Sequence, residues 1–276
     1  MLKFLEIRIN LLWFGFIEYV IGILKWKFYK LIRDYGKMER YGDISELLAV
    51  VDSNLLVLSS AYEGARKNEE QNDVVRPLIK SMLSDLRSVL DYSAQSIWES
   101  YTTKSSRLHF PYGVDEVRFR KSIKDNLNGL EQQRPNAFKE VESIQPHACG
   151  DNWLFVLCSM TNTTKHNNLG KQVRENSKAA RTRFGMIADI GGGGRLILED
   201  CIIDGVLVGG NGKPFEISNE RTVKQMQAEI KIPIEIIREY EWVKFKFDDH
   251  LVDALELLAR SRDEIRLYIE RLRLVI

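Results

Sequence analysis

Apolar residues along this chain follow two rhythms. Leu47, Leu48, Val51, Leu55 and Leu58 recur at three- and four-residue steps, behind the N-cap oxygens of Asp43 and Ser45, which predicts a helix over about 45–68. A polar link, residues 67–72, interrupts it. The rhythm resumes with Val75, Ile79, Met82, Leu83, Leu86, Leu90 and Ile97, a second long helix over about 73–102, antiparallel to the first. Residues 104–113 read as a loop, marked by Ser105, Ser106, Pro111 and Gly113. Short amphipathic pieces follow around 119–123 and 138–144, up to a break at Gln145-Pro146-His147. Asp151 then caps a helix over about 151–166 that carries Trp153, Phe155, Val156, Leu157 and Met160. A last stripe, Leu251, Leu255, Leu258, Ile265, Ile269, Leu272 and Ile276, predicts a terminal helix over about 249–274, capped by Asp248 or Asp249.

The second rhythm lies between these helices. Residues 167–183 are polar and read as a loop or weak helix. Residues 196–203 and 206–208 are apolar, β-branched runs separated only by Asp204-Gly205, a pair suited to a type I′ hairpin turn. Further strands are expected at 215–217, 230–237 and 242–247, the last alternating Val243, Phe245 and Phe247 with Lys244 and Lys246. The reading is α+β and mainly α: an antiparallel helical bundle with a β-hairpin or meander insertion at about 195–247, before the C-terminal helix. Residues 41–276 form a single domain, preceded by an apolar and basic segment, 1–40.

Charge changes this picture little. Forty basic residues against thirty-nine acidic ones leave a net charge of +1, which removes any global argument for nucleic acid but not a local basic face. Three cysteines, Cys149, Cys158 and Cys201, fit no zinc spacing and read as reduced thiols of a cytoplasmic protein. The N-terminal segment complicates the compartment. Residues 9–24 are apolar except Asn10 and Glu18, too short a run to span a bilayer. Lys25, Lys27, Lys30 and Arg33 follow, interleaved with Trp26, Phe28 and Tyr29, so residues 1–33 suit either a membrane surface or a packed helix. Met38 is the natural start if the segment is an upstream extension.

Chemistry has few candidates. Asn162 and His166 are four apart on one helix with Lys165 beside them; an imidazole near a cation and an amide can serve as acid or base in phosphodiester cleavage. The same residues equally suit a plain helix C-terminus. Arg87 and Asp91 are i,i+4 on the second helix. Arg262 occupies a position of the terminal apolar stripe, where it either snorkels or meets an internal carboxylate. His109 and His147 lie in loops near helix ends. The run Gly191 to Gly194 lacks a following Lys-Ser/Thr and a helix, so it reads as a turn. No zinc-binding His-Glu-x-x-His, nucleophile elbow or dinucleotide fingerprint is present, so neither cofactor nor metal is called for.

Several segments carry a resemblance: Leu86-Arg87-Ser88-Val89-Leu90-Asp91-Tyr92, Phe110-Pro111, Ile144-Gln145-Pro146-His147, Trp153, and Thr161-Asn162 with Lys165-His166-Asn167. In that order they resemble a broad group of uncharacterised bacterial proteins placed near the HEPN superfamily, and residues 245–272 resemble that group's ending. The resemblance covers about half the chain. It implies a helical bundle, a homodimer and a toxin or phage-defence setting. Active HEPN ribonucleases place a His some four to six residues after an Arg; none of His109, His147, His166 or His250 has an Arg at that distance.

Three functions fit these observations. One is an RNA-directed protein with His166, Lys165 and Asn162 as its polar centre, supported by Arg87, Asp91, His147 and Arg262. Another is a non-catalytic dimeric interaction module, and the third a membrane-associated form of either. Because the regular pattern starts after Gly42, a chain beginning at Met38 is expected to stay soluble and to melt cooperatively by circular dichroism. A broad, non-cooperative transition would place residues 1–37 in the core.

Overall fold

The computed structural model describes residue 38 and residues 40–106, 108–166, 171–230, 232–248 and 250–276. The N-terminal segment, with the expectations placed on it, lies outside them. The fold is α+β. In chain order the described residues form α1 (Tyr41–Ala65), α2 (Arg76–Glu99), α3 (Glu116–Asn126), α4 (Leu130–Gln133), α5 (Pro135–Ser143), α6 (Pro146–Cys149) and α7 (Trp153–His166). Then come β1 (Gln172–Asn176), β2 (Ala180–Phe184), β3 (Ala188–Ile190), β4 (Arg195–Leu198), β5 (Cys201–Ile203), β6 (Val206–Val208) and β7 (Phe215–Ser218). α8 (Val223–Glu229), β8 (Ile236–Tyr240), β9 (Val243–Phe247) and α9 (Ala254–Leu272) complete the order. The chain divides into two compact units, one holding Leu90–Gly150 with the segments up to Glu46 and from Ile265, the other Leu47–Val89 with Asp151–Glu264.

In the first unit, Phe119 of α3 and Phe138 of α5 pack at 6.0 Å, and Phe110 meets Tyr268 edge-on at 5.7 Å. Both Phe110 and Tyr268 are fully buried. Asp115 caps α3 by accepting from the Arg118 amide at 2.8 Å. Gly113 passes so close to α3 that a β-carbon there would stand 2.3 Å from the Phe119 nitrogen.

In the second unit α1 buries Leu48, Val51, Leu55, Leu58, Tyr62 and Ala65, the stepping that the sequence pattern predicts. The β excursion is a set of nested antiparallel pairs. The outgoing strands β1, β2, β4 and β5 pair with the returning strands β9, β8, β7 and β6, while β3 pairs with β2. Its apex is Asp204-Gly205, with φ of 50° and 78°, the two positive values a type I′ turn requires. Between the β1–β9 and β2–β8 ladders residues 177–179 face 241–242, a bulge across which Ser177 and Glu241 still donate to Trp242 and Ala179. A small core fills the excursion: Phe184, Val208, Phe215, Ile217, Met226, Ile230, Ile232 and Ile236.

Three local expectations change. Residues 172–184 hold two strands rather than a loop. Their inward positions are partly polar, with Gln172 and Thr182 buried on hydrogen bonds, so the alternation is invisible to hydropathy. The strand expected at 230–237 starts only at Ile236, because Pro233 cannot join a ladder and Ile230 ends α8. The terminal helix is capped by Asp253 rather than Asp248 or Asp249: its Oδ1 accepts from the Glu256 amide at 3.0 Å, and Leu251 lies outside the helix with φ of 53°. Asp253 Oδ2 also accepts from the Tyr62 hydroxyl (2.9 Å) and the Phe245 amide (2.8 Å), joining α1, β9 and α9. Burial, then the neighbouring carboxylate, raises the Tyr62 phenol far above its usual range.

The polar link after α1 fastens the β excursion. Arg66 Nε donates to the Tyr240 carbonyl at 2.8 Å, and Arg174 donates to the carbonyls of Gln71 (2.7 Å) and Ala65 (2.9 Å). The Val74 amide donates to Gln172 Oε1 at 2.8 Å. Arg238, its side chain 2% exposed, donates to Glu69 Oε1 (2.7 Å), Thr182 Oγ1 (2.9 Å) and the carbonyls of Ser218 (2.7 Å) and Arg221 (2.8 Å). Glu69 Oε1 also accepts from Tyr240 Oη, and its Oε2 from the Val223 amide. Removing one partner of such a buried pair strands the other charge. Glu69→Ala is therefore expected to lower stability by about 3 kcal/mol in urea unfolding; a loss below about 1 kcal/mol would mean that water replaces the carboxylate freely.

Candidate functional site

The polar residues singled out in the sequence are divided between the two units. In the second unit α7 starts where Asp151 Oδ1 accepts from the Trp153 amide at 2.8 Å. Its apolar side, Trp153, Leu154, Val156, Leu157 and Met160, is buried. Thr161 Oγ1 lies 2.8 Å from the Leu157 carbonyl and 3.3 Å from that of Leu83, tying α7 to α2. One turn along α2 from Leu83, the buried Arg87 donates from Nη1 to the fully buried Cys158 Sγ at 2.8 Å. Positions 158, 162 and 166 are four apart and form one slowly drifting row on α7. Asn162 is exposed in that row. Lys165 and His166 belong to the last turn of α7, and their side chains lie outside the described residues.

Arg262, itself half-buried, is ion-paired with the partly exposed Asp52 of α1 and, at 2.8 Å, with its exposed neighbour Asp263, so its charge reaches the edge of the stripe instead of meeting an internal carboxylate. The buried stripe of α9 passes through Ser261 beside it.

In the first unit Asp91 Oδ1 accepts from the Phe110 amide at 2.7 Å, and its Oδ2 lies 3.6 Å from His109 Nδ1. Gln145 is fully buried with its whole amide in use. Nε2 donates to the carbonyls of Pro111 (3.2 Å) and Val141 (3.1 Å), and Oε1 accepts from the Gly113 amide at 3.3 Å. His147 stacks near Phe119, with ring centres 5.4 Å apart, and its Nε2 is 3.8 Å from Glu142 Oε1. Asp91 and Gln145, which fall in segments that carry the resemblance, thus have a structural employment: they hold the 109–113 loop.

A groove escaped the sequence reading. Beside the Glu69–Arg238 pair lies a cavity of about 840 Å³ lined in part by Lys67, Glu70, Lys224, Gln227 and Ile237, with Lys224 and Glu70 paired at 3.4 Å. One signal could have found it: Arg238 follows Ile236 by two residues, an arginine at an inward strand position. Among the described residues no group of three or more His, Cys, Asp or Glu side chains could hold a metal ion. No family model, curated protein or solved structure matches the chain.

Replacing Gln145 by leucine keeps its volume but leaves an amide N–H and two carbonyls unpaired in the interior. The expected loss is about 2–3 kcal/mol, read as a lower melting temperature. An unchanged melting temperature would show that the loop finds other partners.

Proposed function

We propose that the chain is a HEPN-like helical-bundle protein directed at RNA, of the kind met in bacterial toxin and defence systems. The contact is made by the last two turns of α7. The observation that supports this reading is the Arg87–Cys158 hydrogen bond. It fixes the face of α7 that continues through the exposed Asn162 to position 166, so that polar groups are offered from a rigid helix rather than a loop. Arg87, at 6% exposure, positions this helix instead of touching phosphate. Asn162 and Lys165 supply donors of the type that bind phosphate and sugar oxygens, and His166 is the group able to move a proton.

A second reading, the non-catalytic interaction module, is favoured by Arg262, whose charge is spent on Asp52 and Asp263. Binding of purified protein to single-stranded RNA at low and moderate salt separates the two. Salt-dependent binding is expected, weakened roughly tenfold by Asn162→Ala or His166→Ala with the melting temperature held. Any cleavage that accompanies binding is expected to vanish in His166→Ala. Failure of the wild type to bind RNA even at low salt leaves the interaction module.

A further inference from the structure

α1 buries one face and exposes another, and the exposed face has an internal symmetry. Along it run Glu46, Ala49, Ser53, Leu56, Val57, Ser60 and Gly64, all exposed, and at the next step of the same spacing Lys67 is exposed in the turn after the helix. Leu56 and Val57 are 74% and 53% exposed, with Val50 alongside at 48%. Read outward from the midpoint between Leu56 and Val57, each half repeats the other at identical steps: an apolar residue, a serine, a small residue and a charge. The charges are opposite, Glu46 at one end and Lys67 at the other.

We propose that this face is a homodimer interface in which α1 of one copy packs antiparallel on α1 of a second. This stands apart from the RNA reading. A two-fold axis through the midpoint sets Leu56 against Val57, Ser53 against Ser60, Ala49 against Gly64 and Glu46 against Lys67, and each pairing occurs twice, as an isologous contact demands. Small residues at the flanking positions let two helix axes approach to about 8 Å. The serines find hydroxyl partners, and the terminal charges attract in the antiparallel register while repelling in the parallel one, where Glu46 meets Glu46.

Lipid is the competing occupant. Among the described residues α1 is the one helix whose length and apolar composition would allow it to cross a membrane. A lipid-facing row has no use for two serines and a mirrored pair of opposite charges, whereas a second copy uses all of them.

Sedimentation equilibrium of the full chain tests the proposal. The wild type is expected to dimerise, and Leu56→Asp to be monomeric. Glu46→Lys is expected to weaken the dimer at least tenfold, and adding Lys67→Glu to restore it. Gly64→Leu keeps the fold out of the question, because nothing lies within 4 Å of a β-carbon built there; its melting temperature should hold while the dimer is lost. A monomeric wild type, or a dimer indifferent to both Leu56→Asp and Gly64→Leu, overturns the proposal. So does flotation of the wild type with phosphatidylglycerol-containing vesicles that Leu56→Asp abolishes, which would give the face to lipid.

Discussion

Arg238 stands at an inward position of β8 with its guanidinium almost out of water, where the loss of hydration is tolerable only if its N–H groups find acceptors. Glu69, two carbonyls and a threonine hydroxyl supply them. Those acceptors come from β2, from the ends of β7 and α8, and from the link after α1. The arginine can therefore be satisfied only when all of these segments are in place. Arg66, Arg174 and Gln172 repeat the logic at neighbouring points of the same link. The outcome is a β excursion bound to the helical part of its unit by buried polar contacts, with an apolar core of its own.

This constraint also explains what the sequence could and could not reveal. Helices such as α1 and α7 were legible because burial and hydropathy largely coincide there, and α9 was legible although its predicted stripe includes the exposed Leu251 and its buried one includes Ser261. The Asp204-Gly205 apex was legible because two positive φ values narrow the choice of residues. β1 and β2 were not, since their inward residues include Gln172 and Thr182, whose burial depends on partners 56 to 98 residues away in the chain. The start of α9 was misplaced because three aspartates precede it, and only the contacts with Tyr62 and Phe245 select Asp253.

The candidate site divides in the same way. Spacing alone put Asn162 and His166 on one helix, and the structure adds the Arg87–Cys158 contact beneath that face. Asp91 was a site candidate by its i,i+4 spacing from Arg87, yet it is occupied by the backbone of the 109–113 loop, as is Gln145. The symmetry of the exposed face of α1 was present in the sequence too, but it became visible only once burial had separated that face from the core stripe.

Native-state hydrogen exchange tests most directly whether the β excursion belongs to the same cooperative structure as α1. The account predicts that amides in the β2–β8 ladder, such as Phe184 and Arg238, and those at the buried turns of α1, such as Leu55 and Leu58, open with one common free energy and respond in parallel to denaturant. Exchange of the ladder through a separate opening several kcal/mol below that of α1 would contradict it, and would make the excursion an independent appendage.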